Sequence, residues 1–285
     1  MSPEQNNNPW QPSAKIKTLQ QRAKLLAAIR QFFAKRGVLE VETPLLCQHT
    51  VTDRYIDSFS VDGGRYLQTS PEYAMKRLLA ADSGAIYQIC KAFRNEEASV
   101  HHNPEFTMLE WYRPEWTDEQ LMQEIDELMQ ATVHAKPATY VSYHTAFLST
   151  LNIDPLACSE SDLIQLIQSK APGEVSSSLL NEGKNALLNF CFSRWVETSF
   201  DTNCPTFVTD FPASQAALAE INPADPRTAK RFELYYCGLE LANGFQELTN
   251  AAEQRERFTE DQQYRQQNKQ FVPAIDERLI SALEA

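Results

Sequence analysis

Apolar residues recur at helical spacing at Leu19, Ala23, Leu26, Ile29 and Phe33, and Lys35-Arg36-Gly37 adds a basic last turn with a glycine stop. This pattern predicts one amphipathic helix. It runs straight into Val38-Leu39-Glu40-Val41-Glu42-Thr43-Pro44, an alternating, β-branched segment closed by proline, which predicts a strand that ends abruptly. Ser70-Pro71-Glu72 has the grammar of a helix start, with a hydroxyl cap, proline at the first helical position and an acid in the first turn; the helix should run to about Ala81. Two strands, 85–94 and 106–112, flank a polar stretch and predict a long hairpin. Thr117-Asp118-Glu119-Gln120 is a capping box that opens another helix.

From 136 to about 203 the pattern breaks into short helical pieces punctuated by Pro155, Pro172 and Gly173, an inserted helical lobe with no recognisable site chemistry. Residues 206–210 then read as a strand, 231–245 as a second hairpin turning near Cys237-Gly238, and the remainder from Thr249 as a charged helix and a short final helix from about Ala274. Hairpin-linked strands with helices grouped around them predict an α+β domain on an antiparallel sheet over residues 13–285, preceded by a loose segment, 1–12.

Composition narrows the classes. With 285 residues and 42% hydrophobic content, the chain can bury one sizeable core. The Asn- and Pro-rich start contains no apolar stretch, so neither a signal peptide nor a spanning helix is expected, and the cytoplasm is the default location. Cysteines 47, 90, 158, 191, 204 and 237 lie far apart without a C-x-x-C pair, which suggests reduced, mostly packed thiols and no zinc site. The net charge of −12, with no basic block, disfavours a general nucleic-acid binder. A local basic patch can still coexist with an acidic total.

Strand parity locates the candidate chemistry. Phe106, Met108, Glu110 and Tyr112 share one face, while Thr107, Leu109 and Trp111 share the other. A carboxylate among aromatic rings suits a pocket for a planar or cationic ligand; a surface face with chance aromatics is the plain alternative. Arg94 and Glu96 end the facing strand, where the arginine could bridge phosphate oxygens beside Phe106, or merely pair with Glu96 at the surface. In the second hairpin Glu233 and Glu240 sit about equally far from the turn, so their carboxylates can be cross-strand neighbours. They could share a magnesium ion with ATP phosphates, or form a solvated acidic edge. Asn243-Gly244 would let the backbone turn, and Glu247 presents one more acid.

Phe93-Arg94-Asn95-Glu96-Glu97, followed by His102-Asn103-Pro104-Glu105-Phe106-Thr107-Met108-Leu109-Glu110-Trp111-Tyr112, resembles motif 2 of class II lysyl-tRNA synthetases. The helix, strand and Pro44 unit resembles motif 1, the dimer element of that class. Thr69-Ser70-Pro71-Glu72-Tyr73 also matches, and Glu240-Leu241-Ala242-Asn243-Gly244-Phe245-Gln246-Glu247-Leu248 resembles the lysine-subclass segment before motif 3. The likeness runs from about Trp10 onward, is weakest in the helical lobe, and is nearest to the short paralogues that modify elongation factor P. Motif 3 itself, a Gly-rich strand and helix whose arginine grips the γ-phosphate, is absent from the sequence, which ends at Ala285.

The resemblance implies a class II synthetase catalytic core using ATP and Mg2+. Arg94 would grip the α-phosphate, Glu96 would meet the adenine amino group, and Phe106 would stack on adenine. Asn95, His102, Asn103, Glu240 and Leu241 would complete the ATP site, with Glu233 and Glu240 holding the metal. Ser70, Pro71 and Glu72 would face the α- or β-amino group of lysine or (R)-β-lysine. Glu110, Tyr112, Asn243 and Glu247 would form the pocket for its terminal ammonium. The implied activity is adenylation of the amino acid and transfer to a lysine of elongation factor P by a homodimer. No stable tRNA contact is expected: motif 1 begins within the first few tens of residues, where tRNA-charging relatives carry an anticodon-binding barrel, and His101 stands where they have an arginine. Two alternatives remain open, tRNA charging and a catalytically inactive paralogue that binds an amino acid or a partner.

Overall fold

A computed structural model describes residues 10–95, 102–173, 176 and 179–285. The first helix, α1 (Ile16–Lys35), forms where the apolar spacing placed it, and Gly37 ends it at φ +66°. Only its C-terminal half is covered: Phe32 and Phe33 are buried, whereas Ile16, Leu19 and Ala23 face solvent. The strand after it, β1 (Leu39–Glu40), is shorter than the alternation suggests, although the Val41 amide still donates to Tyr87 O. β2 (Leu46–Cys47), β3 (Ser60–Val61) and β4 (Arg65–Leu67) make a small separate sheet.

Next, α2 (Glu72–Ala80) starts at the expected signal: Pro71 has right-handed φ, and the Ser70 hydroxyl accepts the Glu72 amide at 3.1 Å. β5 (Ile86–Phe93) and β6 (Glu105–Tyr112) form the predicted hairpin, with Gln88 opposite Glu110 and Ala92 opposite Phe106. β1 joins β5 in parallel. The Leu109 and Trp111 face packs under α1, where the Phe33 and Trp111 rings lie 5.3 Å apart. The capping box of α3 (Asp118–Val133) is present with both reciprocal bonds.

The stretch expected to be wholly helical begins with a strand. β7 (Thr139–Ser142) pairs in parallel with β8 (Thr206–Pro212), and only then do α4 (Tyr143–Leu151), α5 (Glu160–Lys170) and α6 (Lys184–Cys191) follow. Three β-favouring residues, Thr139, Tyr140 and Val141, were too few to stand out between helices. Tyr143, Phe147, Leu187 and Phe192 of this lobe share one core with Val208, Phe211 and Tyr235 of the sheet. The sheet is completed by β9 (Thr228–Tyr236) and β10 (Leu239–Phe245) in the order β10-β9-β8-β7. Their turn uses Cys237 and Gly238, both at positive φ, as a tight two-residue hairpin requires.

α7 (Ala251–Gln267) and α8 (Glu277–Leu283) close the chain. From α7, the fully buried Arg265 donates to the carbonyls of Thr52, Asp53, Ile56 and Phe271 and pairs with Asp57. This staples the 52–57 loop, whose Asp57 carbonyl accepts the Asn95 amide at 2.8 Å. The architecture is the expected α+β arrangement of mainly antiparallel sheets flanked by helices. Among the described residues no helix is long and apolar enough to cross a membrane, and the six cysteines are free thiols.

Candidate active site

One face of β6 carries two kinds of chemistry. At its start Phe106 lies under Arg94, whose guanidinium carbon is 5.3 Å from the ring centroid. Among the described residues Arg94 Nε is buried without a hydrogen-bond partner, and an anionic ligand would satisfy it. The backbone holds it there, because the Arg94 amide donates to Pro104 O at 2.9 Å and closes the end of the hairpin. His102 and Asn103 lead into β6 with exposed side chains. Glu96, expected beside adenine, and His101 lie outside the described residues.

Four positions along, the same face carries Glu110 and Tyr112. Ser70 Oγ donates to Glu110 Oε2 at 2.6 Å and the Tyr112 hydroxyl donates to Oε1 at 2.8 Å. Burial first, then the neighbouring Glu72, pushes Glu110 up to about 7. Glu247 lies beyond β10, where an isolated bridge pairs it with Ala219. Although 28% of its side chain reaches water, protein atoms crowd it, and this desolvation pushes it up to about 8. The charge of Lys76 opposes that rise, and Glu72 adds to it.

Lys76 was missed in the sequence. It lies one turn after Glu72 on α2, and its ammonium is 2.7 Å from Glu72 Oε1 and 2.6 Å from Glu247 Oε2. The i, i+4 spacing of Glu72 and Lys76 was the available signal. On an isolated helix it reads as an ordinary surface pair.

The second hairpin requires a correction. Glu233 is opposite Asn243 and Glu240 is opposite Tyr235, with a bulge between Glu240 and Ala242. The two acids share a face diagonally and are not paired directly. The extra residue, Leu241, is half exposed at 46%. By restoring parity it puts Asn243 on the same face as Glu240, which an unbroken ladder would forbid. Asn243 Nδ2 donates to Glu233 at 3.3 Å, so among the described contacts it joins Glu233 and not the Glu110, Tyr112 and Glu247 group. Gly244 does not turn the chain. It lies within β10, and a Cβ there would come within 2.4 Å of the Phe232 ring, so glycine serves close packing.

Glu233 is buried, accepts from Tyr235 and Asn243, and pairs with Arg231. Glu240 has an exposed side chain, yet crowding and then the charge of Glu233 push it up to about 7, while Arg231 and Arg94 act in the other direction. Among the described residues no group of three or more His, Cys, Asp or Glu side chains could hold a metal ion. Two carboxylates on one face, with Glu240 within the field of Arg94, do fit magnesium, which takes few protein ligands when phosphate oxygens supply others.

A class II synthetase core is the class that this fold and site define. The sequence profile described as "tRNA synthetases class II (D, K and N)" matches residues 11–285, and the chain belongs to that family. It is 51% identical over 286 residues to the elongation factor P--(R)-beta-lysine ligase of Pseudoalteromonas translucida, with 97% of this chain and 88% of the relative covered. The protein of the same name from Haemophilus influenzae is 50% identical over 98% of this chain and 88% of its own length. That of Erwinia tasmaniensis is 49% identical over 97% and 87%.

Proposed function

We propose that this protein uses ATP to activate lysine or (R)-β-lysine as its adenylate and transfers the acyl group to a lysine side chain of elongation factor P. The observation that carries this reading is the single face of β6. The Arg94 and Phe106 pair, suited to a nucleotide, and the Glu110 and Tyr112 pair, suited to an ammonium, lie four residues apart, or about 13 Å along the strand. An amino acid held between them would present its carboxylate to the phosphate end.

Phe106 would stack on adenine, with Asn95, Glu96, His102, Asn103 and Leu241 around the nucleotide. Arg94 would grip the α-phosphate and stabilise charge as the amino-acid carboxylate attacks and pyrophosphate leaves. Glu233 and Glu240 would hold Mg2+, which supplies charge neutralisation for the phosphates. The amino acid would lie along Ser70, Pro71 and Glu72 for its α- or β-amino group, and Glu110, Tyr112 and Glu247 for its terminal ammonium, while Asn243 would orient Glu233. In the second step a neutral lysine ε-amine attacks the acyl carbon, AMP departs with the bonding pair, and the lost proton goes to solvent. No enzyme nucleophile is needed, because positioning supplies the rate. The acidic total offers tRNA little long-range attraction.

The acceptor is tested by incubating the full-length protein with ATP and radiolabelled lysine or (R)-β-lysine, offering elongation factor P and bulk tRNA separately. Label is expected on elongation factor P in an alkali-stable amide. Label removed by ribonuclease and mild base, with none on protein, would refute the reading.

The same reading includes a homodimer. Ile16, Leu19, Leu39, Leu45 and Leu46 are exposed by 40–65% along the motif 1 unit, an apolar surface that a second copy would cover. Light scattering at micromolar concentration should give twice the chain mass. A monomer only, across that range, removes this surface as a dimer interface.

A further inference from the structure

Lys76 is a cation that the adenylation chemistry does not consume, yet it stands inside the candidate amino-acid pocket. Its side chain is 6% exposed. The ammonium meets Glu72 on its own helix and Glu247 beyond β10, and the Phe245 ring centroid lies 5.8 Å away. Facing it from the remaining elements are Glu110 and Tyr112 on β6, with the Cys90 thiol of β5 close to Glu110.

The oxygens that Lys76 approaches, Glu72 Oε1 and Glu247 Oε2, are buried and lie within hydrogen-bonding distance of its ammonium, at 2.7 and 2.6 Å. Each ionised carboxylate keeps acceptor capacity beyond this one contact, which an incoming N–H group would use. Three carboxylates, Glu72, Glu110 and Glu247, surround this one ammonium. The pocket is thus short of two positive charges when its acids are ionised. An amino acid with two ammonium groups supplies that number, and one with a single ammonium leaves an acid uncompensated.

We propose that Lys76 is a positioning and specificity-determining residue, whose charge, set between Glu72 and Glu247, holds both carboxylates in place so that the pocket selects a diamino acid over a monoamino acid. The proposal rests on the amino-acid reading of this pocket given above. Without Lys76, Glu110 and Glu247 lose the cation that opposes their rise, so both take up protons more readily. A protonated carboxyl offers a donor where the substrate needs an acceptor. Charge, and not packing volume, is then what the lysine contributes.

Calorimetric titrations of the full-length protein with L-lysine, (R)-β-lysine, L-norleucine and ATP separate these roles. They are run from pH 6.5 to 9 in two buffers of different ionisation enthalpy, which gives the protons exchanged per ligand. Lys76→Met should weaken binding of the diamino acids about 100-fold at pH 7 and much less at pH 9, and should release more protons per ligand bound. Its preference for lysine over norleucine should shrink, with ATP affinity within about threefold of the parent. Lys76→Arg keeps the charge and should hold the wild-type proton count and diamino-acid affinity to within about tenfold.

Equal losses for lysine and ATP in Lys76→Met, with an unchanged proton count, would reduce Lys76 to a structural residue and overturn the proposal. So would Lys76→Arg that folds but loses the pH profile of the parent, a result that stands even if Lys76→Met fails to fold. Wild-type protein that binds neither diamino acid at any pH would overturn the amino-acid reading itself, a result distinct from either of these.

Discussion

Replacing Arg94 with alanine should cut lysine-dependent exchange between ATP and pyrophosphate by at least about 1,000-fold in the full-length protein. The guanidinium lies over the Phe106 ring with a buried Nε that no group among the described residues satisfies. That combination of a stacking surface and an uncommitted donor is what a nucleotide phosphate would complete. Alanine removes the donor and the charge that would meet the developing negative charge on phosphorus. ATP binding should weaken far less than exchange, because stacking on Phe106 is retained. Wild-type exchange in Arg94→Ala would sink the phosphate assignment, and the Arg94–Phe106 contact would then be an ordinary surface cation–π pair.

Glu247→Gln should weaken lysine binding by about 2 to 4 kcal/mol, roughly 30- to 1,000-fold, with ATP binding unchanged. Glutamine keeps the shape and loses the charge, so the ligand ammonium and Lys76 would share Glu72 and Glu110 alone. Titrations with lysine and ATP measure both, and equal losses would move Glu247 out of the amino-acid pocket. The pH profile adds a signed check. In the free protein Glu110 is raised to about 7 and Glu247 to about 8, mainly by burial. A bound ammonium favours the ionised forms and lowers both values, so binding releases protons. Lysine affinity should therefore strengthen as pH rises from about 6 to about 8 and level off above. In Glu247→Gln only the lower part of this rise, around the value of Glu110, should remain.

Much of this site was legible in the sequence wherever chemistry depends on local periodicity. Strand parity separated Phe106, Glu110 and Tyr112 from Leu109 and Trp111, and the structure keeps that separation, with Leu109 and Trp111 against α1. The capping box before α3, the Ser70 start of α2 and the Cys237-Gly238 turn were equally readable, because each rests on bonds or dihedral angles within a few residues. The resemblance to the synthetase motifs assigned candidate roles that parity alone left open.

What the sequence by itself determined, then, was the main helices and the two hairpins, the α+β class and the faces on which the acids and aromatics of the first hairpin lie. Tertiary structure decided the rest. A bulge at Leu241 placed Asn243 beside Glu233, and no residue in that run marks a bulge by its own propensity. The Phe232 ring gave Gly244 its reason through contact across the ladder. β7 became a strand because β8, more than sixty residues later, offered it an edge. Lys76 turned inward because Glu247, far along the chain, arrives to meet it. Periodicity is a property of neighbouring residues, whereas burial, pairing and the balance of charge are set by groups that only folding brings together.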